Sequence, residues 1–124
     1  MNIIINTKSG VPIYEQLERA FKDMIINGEL KEGDSLPSIR GLASDMKISV
    51  ITIKRAYEDL EKEGMIYSVQ GKGFYVDNPD LQYMKEKKTL GLEEEMAKWI
   101  EKAKASGMEM KDAADMLTIL WSEQ

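Results

Sequence analysis

The stretch LPSIRGLASDMKISVITIKRAY, from Leu36 to Tyr57, decides the predicted fold. Pro37 can open a helix but cannot continue one from upstream, and Ser38 or Ser35 can accept from the free N–H groups of a first helical turn. A second helix start follows at Ser49, whose hydroxyl can cap it in the same way. The stretch therefore predicts two short helices separated by a tight turn.

Apolar side chains recur at helical spacing in both predicted helices. They are Ile39, Leu42, Ala43 and Met46 in the first helix, and Ile53, Ala56, Tyr57 and Leu60 in the second. Such stripes predict one buried face on each helix. The side chains left on or beside the outward face of the second helix are Val50, Ile51, Lys54 and Arg55. These four are the first candidates for contact with a partner.

A β-hairpin is predicted directly after the second helix. The sequence is strand-like from Met65 to Val69 and from Gly73 to Val76, with Gln70-Gly71-Lys72 at the turn. Glycines at such a tip let the backbone approach a sugar-phosphate chain closely. Two short helices followed by this hairpin predict a winged helix-turn-helix, in which the second helix is the recognition helix.

One further helix is predicted on the N-terminal side. Pro12 stands at a suitable helix start, apolar residues follow at helical spacing up to Asn27, and Gly28 can end the helix in a left-handed conformation. The polar residues 28–35 include two glycines and are predicted to form a loop. The run from Ile3 to Ile5 leaves two alternatives open, a strand against the wing or a hydrophobic arm.

Pro79 marks a predicted boundary, because it disfavours helix at the residue before it. Residues 1–78 are predicted to form the winged helix-turn-helix domain, and residues 79–124 a two-helix tail. The predicted fold class is mainly α with a small β wing, followed by a short C-terminal helical dimerisation segment.

The tail is rich in good helix formers. One helix is predicted from Leu81 to Ala105, with Gly91 a candidate break or kink, and a second from Lys111 to Trp121. Their apolar stripes include Leu92, Met96, Trp99, Ile100, Ala103, Met116, Leu117, Leu120 and Trp121. Two helices of this size cannot bury both stripes on each other, so a partner is expected, and the simplest partner is a second copy of the chain.

Composition indicates a folded protein of a reducing compartment. The chain is 43% hydrophobic and 31% charged, and it has no cysteine for a disulfide framework or a thiolate metal site. No basic leader followed by an apolar core is present, and no stretch approaches the roughly 20 apolar residues that span a bilayer. A cytoplasmic protein without membrane association is predicted.

The distribution of charge matters more than its total. A net charge of −5 argues against nucleic-acid binding. Between Leu36 and Ala56, however, four basic residues stand against Asp45, and Lys72 adds another positive charge at the predicted wing tip. A basic edge on an acidic body predicts local attraction to phosphate, with weak non-specific binding that salt weakens further.

Several motifs occur in one order: PIYEQ from Pro12, LPS-x-R-x-LA from Leu36, AYEDLEKEG from Ala56 and VQGKG from Val69. Over roughly residues 10–77 the chain resembles the DNA-binding domain of GntR-type bacterial transcription regulators, and its short tail resembles the YtrA-type subgroup. The resemblance implies a homodimeric winged-helix regulator, with a repressor favoured over an activator, that binds an inverted repeat in double-stranded DNA. It also suggests control of transporter genes.

Candidate DNA-binding residues follow from the outward face and from this resemblance. Arg40 matches a DNA-contacting arginine of the family, and Lys54 matches its basic position on the recognition helix, so Lys54 is favoured over Arg55. Arg55 has the alternative of an ion pair with Glu58 or Asp59. The full predicted set is Ser38, Arg40, Ser49, Val50, Ile51, Thr52, Lys54, Arg55, Gln70, Gly71, Lys72 and Gly73.

Val50 departs from the pattern of the family, which often carries arginine near the start of the recognition helix. Valine cannot form a bidentate contact with guanine. Val50 and Ile51 either cover the helix start as local packing or meet thymine methyl groups in the major groove. The second alternative predicts A·T pairs in each half-site.

Other function classes find less support. The chain has no histidine and no cysteine, and no glycine-rich phosphate loop or metal-ligand cluster, so neither an enzyme nor a cofactor nor a metal site is predicted. A small-molecule site near Trp99 and Trp121 is less favoured than a dimer core, and no effector is identified. The rival to a DNA-binding regulator is a winged-helix protein-interaction module in which Val50 and Ile51 bind another protein.

Overall fold

The structure of the chain is a computed structural model that describes residues 3–123. Its elements are α1 (Ile13–Ile26), α2 (Ile39–Met46), α3 (Val50–Lys62), β1 (Ile66–Val69), β2 (Gly73–Val76), α4 (Leu81–Ala105) and α5 (Met110–Glu123). The fold is mainly α with one small antiparallel sheet, as predicted. The chain forms two compact units that divide between Leu81 and Gln82.

Serine side chains fix the starts of α2 and α3. The Ser38 hydroxyl accepts from the N–H of Gly41 at 3.0 Å, and the Ser49 hydroxyl accepts from the N–H of Thr52 at 3.2 Å. Between the helices, Lys47 adopts the left-handed conformation with φ 56°, which is uncommon for a residue other than glycine. The predicted caps are therefore confirmed, with Ser38 rather than Ser35 in the first position.

Tyr57 of α3 lies at the centre of the first unit's core. It is fully buried between Phe21 and Phe74, with edge-on ring contacts at centroid distances of 5.6 Å and 5.0 Å. Its hydroxyl donates to the carbonyl of Pro37 at 2.7 Å, so the core residue also holds the chain that enters α2. Burial raises the pKa of Tyr57, which keeps the phenol protonated as a donor. The predicted buried stripe of α3 is confirmed.

The hairpin pairs Ile66 with Val76 and Val69 with Gly73. At its tip, the N–H of Lys72 donates to the carbonyl of Val69 at 2.9 Å, and Gly71 has φ 77°. A side chain at that position would be strained, so glycine is required by the turn.

The segment before α2 pairs with the wing, which the sequence analysis missed. The Val76 N–H donates to the carbonyl of Asp34, and the N–H groups of Gly33 and Leu36 donate to the carbonyls of Val76 and Phe74, each at 2.9 Å. Residues 28–35 form a loop, as predicted, and an isolated bridge between Ser35 and Tyr75 joins the end of this loop to β2. The segment is too short and too polar to show a strand pattern. Its hydrogen bonds to β2 are formed by backbone groups, which leave no signal in the sequence.

The strand alternative for Ile3 to Ile5 is wrong. These residues have no regular secondary structure; Ile3 and Ile5 pack against the core, whereas Ile4 is 89% exposed. The Gln16 side chain hydrogen-bonds both backbone groups of the neighbouring Asn6. It accepts from the Asn6 N–H at 2.8 Å and donates to the Asn6 carbonyl at 3.0 Å. The N-terminal segment is thus held to α1 by a side chain rather than to the wing by strand pairing.

One carboxylate oxygen of a half-buried acidic residue of α1, Glu18, is shielded from solvent. Glu18 Oε1 is shielded from solvent without a hydrogen-bond partner within residues 3–123. Burial raises the pKa of Glu18 from 4.5 to about 7, and the nearby carboxyl groups of Asp59 and Glu63 add to the shift while the charge of Lys22 opposes it. Lys22 of α1 and Glu63 at the end of α3 form an ion pair of 2.6 Å.

Glu18→Gln is expected to stabilise the protein at pH 8 more than at pH 5. The raised pKa means that wild-type stability falls as pH rises from 4.5 towards 7, since the unfolded chain ionises first, and an amide abolishes this loss. We expect a gain on the order of 1 kcal/mol at pH 8, allowing for solvent screening. Urea unfolding at both pH values measures it. The exposed Glu29→Gln is the control, and an unchanged pH dependence in Glu18→Gln would contradict the burial of a protonated carboxyl.

The second unit consists of α4 beyond its first residue, and α5. The helix α4 runs through Gly91 without interruption, so the candidate break there is wrong; one glycine costs about 1 kcal/mol, which the good helix formers around it outweigh. It ends as predicted at Ser106-Gly107, where Gly107 has φ 86°. In the part of the chain that the structure describes, none of the helices has the length and apolar character needed to cross a membrane.

Candidate nucleic-acid interface

The start of α3 presents its outward side chains to solvent. Val50 is 46% exposed and Ile51 is 80% exposed, and Lys54 and Arg55 are exposed beside them, as the stripe analysis predicted. Packing at the helix start does not account for Ile51, because four-fifths of its surface remains open. Val50 and Ile51 are therefore adjacent apolar side chains that the fold leaves open to a partner at the start of α3.

Positive charges near this surface are largely uncompensated. Within residues 3–123, Arg40, Lys47, Arg55 and Lys72 have no carboxylate at ion-pair distance. Lys54 does have one, because Glu58 Oε1 lies 3.9 Å from its ammonium nitrogen, but both side chains are more than half exposed. An exposed i,i+4 pair is worth only about 0.3–0.5 kcal/mol, so Lys54 can exchange Glu58 for another anion at little cost.

Arg55 is held by an aromatic ring rather than by an acid. Its guanidinium carbon lies 3.7 Å from the ring centroid of Tyr14, the second residue of α1. The alternative of an ion pair with Glu58 or Asp59 is therefore wrong. This contact could not be predicted from the sequence, since it joins positions 41 residues apart. Its only sequence signal was the position of Tyr14 within PIYEQ.

Three predicted DNA-binding hydroxyls have local roles. The Ser49 and Thr52 hydroxyl oxygens lie 2.7 Å apart and form a hydrogen bond, in addition to the cap that Ser49 provides. Ser38 likewise caps α2. Both serines are exposed, whereas Thr52 is half-buried. These three side chains therefore shape the two helix starts, and the serines remain open to solvent as well.

The wing tip, from Gln70 to Gly73, is exposed over its whole length. A contact absent from the sequence analysis anchors the strand before it: Glu61 Oε2 accepts from the Ser68 N–H at 3.1 Å and from its hydroxyl at 2.8 Å. Glu61 belongs to α3, so β1 is fastened directly to the predicted recognition helix. No pattern in the sequence distinguishes this glutamate from the others around it.

The predicted dimerisation residues lie on open surface in the second unit. The helix α5, from Met110 to Glu123, contains no buried residue. Trp99, Leu117 and Trp121 are 40%, 50% and 78% exposed. An apolar groove of about 350 Å³ lies between the two helices. Its lining is Met96, Trp99, Ile100, Met110, Ala113, Ala114, Met116, Leu117 and Leu120. The predicted Leu92, Ala103 and Trp121 lie outside this lining.

Together, the capped helix pair, the exposed start of α3 and the anchored hairpin define a winged helix-turn-helix protein. The model of the family described as "Bacterial regulatory proteins, gntR family" matches residues 13–76, from the start of α1 to the end of β2. The chain belongs to this family. Its members are transcription regulators and not enzymes, and this chain is a transcription regulator as well.

A relative similar over most of the chain is the HTH-type transcriptional repressor YtrA of Bacillus subtilis. The two are 34% identical over 109 residues, which cover 88% of this chain and 84% of the relative. The repressor NagR of the same organism is 38% identical over 63% of this chain, but the match spans only 32% of NagR. Similarity to the longer relative is thus restricted to part of its length.

Solved structures extend the likeness to the whole fold. YtrA from Sulfolobus acidocaldarius, a GntR-family transcription factor, is 32% identical, with a TM-score of 0.59 over 98% of this chain and 97% of its own. A transcriptional antiterminator from Listeria monocytogenes is 29% identical, with a TM-score of 0.70 over 97% and 90%. The DNA-binding domain of AraR, solved in complex with operator ORR3, is 28% identical, with a TM-score of 0.52 over 61% and 92%.

Proposed function

We propose that this protein is a homodimeric, cytoplasmic transcription repressor that binds an inverted-repeat operator in double-stranded DNA. The observation that carries the proposal is the exposed apolar start of α3, in the same unit as an exposed wing tip and as cations that have no carboxylate partner within residues 3–123. Phosphate is the anion that such cations meet in a DNA groove. The operator complex of the related AraR domain supports the same partner.

The roles divide between two elements. The major groove and the phosphates along it are contacted from two helices. Ser38 and Arg40 contact them from α2, and Ser49, Thr52, Lys54 and Arg55 contact them from α3. The wing, with Gln70, Gly71, Lys72 and Gly73, contacts the adjacent backbone. Phosphate contacts of this kind fix the position of a protein on the duplex, whereas contacts with base edges select the sequence.

Val50 and Ile51 contact thymine methyl groups in the major groove. Their exposure favours this role over local packing. Apolar contact with the C5-methyl group distinguishes a T·A pair from the other base pairs without a hydrogen bond. Each half-site therefore contains A·T pairs where α3 docks.

The tail, residues 79–124, joins two copies of the chain. Exposed apolar side chains on both helices support this role, since contiguous apolar surface of this kind marks an interface. Charge along α4 supports a second copy as the partner: Lys85 and Lys87 precede Gly91, whereas Glu93 and Glu94 follow it. Two antiparallel copies of α4 that cross near Gly91 bring these opposite charges together. A twofold dimer then places half-sites about one helical turn, or 10 base pairs, apart.

Repression and the target genes rest on similarity. The related YtrA and NagR proteins are named as repressors, and another relative is named as a repressor of a transport and metabolism system for mannosyl-D-glycerate. Transporter genes are accordingly the class of target in which we expect the operator to lie.

Selection from random duplex DNA by the purified full chain tests the proposal, followed by titration of the enriched duplex across a salt series. We expect a palindrome with A·T pairs in each half-site and a binding constant that falls steeply with salt, because each neutralised phosphate releases counterions. Half-sites with only G·C pairs at the docking position would contradict the role of Val50 and Ile51. A folded dimer without enrichment and without salt-sensitive binding would instead favour a protein-interaction module.

A further inference from the structure

Arg55 differs from the other exposed cations of the recognition helix in having a fixed guanidinium. An exposed arginine normally samples many rotamers, and fixing it on a ligand costs entropy. Here the guanidinium already lies on the Tyr14 ring at 3.7 Å, well inside the roughly 6 Å range of a cation–π contact. Tyr14 is half-buried at the start of α1, and α1 packs along α3, so the ring itself has a rigid support.

Stacking occupies the flat face of the guanidinium and leaves its edge available. All five N–H donors of arginine lie in the plane of the group, so a ring on one face blocks none of them. No carboxylate within residues 3–123 lies at ion-pair distance from Arg55, and the residue is exposed. The N–H donors of Arg55 therefore have no acidic partner and are exposed to a ligand that approaches α3.

We propose that Tyr14 is a positioning residue that presents the edge of the Arg55 guanidinium to a phosphate of the operator backbone. Tyr14 acts through Arg55 by holding it in one orientation before DNA arrives, which reduces the entropy lost on binding. Lys54, one residue earlier, has no such support and pairs only loosely with Glu58. This inference rests on the proposed DNA binding and adds a division of labour, in which Arg55 is a preorganised phosphate clamp.

A double-mutant cycle on the full chain tests the coupling. The variants are Tyr14→Leu, Arg55→Ala, their combination and Tyr14→Phe, each titrated with the duplex enriched by the selection experiment across a salt series. Arg19→Ala is the matched control, because Arg19 is an exposed arginine of α1 whose ion pair, at 3.9 Å, is with Glu15 of the same helix. Thermal unfolding of each variant identifies any general loss of structure.

The expected results separate positioning from a structural role. Arg55→Ala weakens binding by the homodimer about 30-fold and reduces the salt slope by about 1 for each protomer, because a phosphate contact is lost in each half-site. Tyr14→Leu weakens binding about threefold, and the double variant binds no more weakly than Arg55→Ala. Tyr14→Phe retains wild-type binding, since the ring face and not the hydroxyl holds the guanidinium. Arg19→Ala also retains it.

Three results would overturn the inference. Losses that multiply in the double variant mean that Tyr14 does not act through Arg55. A Tyr14→Phe variant as weak as Tyr14→Leu means that the hydroxyl matters instead of the ring. An Arg55→Ala variant with wild-type affinity and salt slope means that Arg55 forms no phosphate contact. Each of these leaves the proposed function standing as long as wild-type protein binds the duplex, whereas wild-type protein that binds no duplex refutes both.

Discussion

Trp99→Ala is expected to raise the dissociation constant of the dimer at least about 30-fold, which corresponds to the roughly 2 kcal/mol or more of an interface hot spot. Trp99 lines the apolar groove between α4 and α5 and is still 40% exposed in the single chain, so a second copy can cover the remaining surface. Sedimentation equilibrium over a concentration series measures the change. DNA binding weakens only indirectly and recovers when the protein concentration is raised.

The matched control for this change is Lys98→Ala, at the preceding and exposed position of the same helix. It shortens a charged side chain instead of removing an apolar one, so the dimer is expected to persist. Circular dichroism should show that both variants keep their helices. If Trp99→Ala dissociates with the same constant as the wild type, or if the wild-type protein is a monomer, the tail is not the dimer interface.

Lys54→Ala is expected to weaken binding to the selected operator duplex about 30-fold. A homodimer loses the contact in both half-sites, and a lost phosphate contact of about 1 kcal/mol in each gives this factor and a shallower salt slope. Stability should hardly change, because the 3.9 Å pair with Glu58 is exposed and contributes little. Titration at several salt concentrations measures affinity and slope in one experiment.

Lys62→Ala provides the comparison for Lys54→Ala. Lys62 is the last residue of α3, carries the same charge and is exposed, but it lies about three turns away from the start of the helix. We expect it to keep the affinity of the wild type, with an intact dimer in both variants. Loss of the dimer in Lys54→Ala and loss of direct DNA contact in Trp99→Ala would reverse the roles of the two units and refute the assignment.

Much of the fold was predictable because its signals are local. Ser38 and Ser49 act within one helical turn, the stripe through Ile53 and Tyr57 repeats at helical spacing, and Gly71 occupies a turn position that other residues avoid. Each of these depends on a few neighbouring residues and is therefore visible in the sequence. The exposed side of α3 followed directly from the position of its buried side.

The features that escaped prediction depend on packing between distant segments. Backbone groups of Asp34 pair with Val76, and the Arg55 guanidinium reaches Tyr14 only because α1 packs on α3. Glu18 looks like any other acid on an amphipathic helix until α3 covers its carboxyl. At Gly91 the local signal was misleading, since the helix formers on both sides outweigh a single glycine.

The backbone pairing between residues 33–36 and β2 has a mechanical consequence. The same segment leads into Pro37, whose carbonyl is held by Tyr57 of α3, and Glu61 of α3 also holds β1. The wing and the predicted recognition helix are thus joined by two routes, one through residues 33–37 and one directly from Glu61 to β1, and cannot adjust independently. Under the proposed function, a duplex whose relaxed shape does not match both elements has to bend or twist to fit, and the energy of that distortion varies with the flexibility of base steps that no side chain touches. Operators that differ only at such untouched steps should therefore differ in affinity.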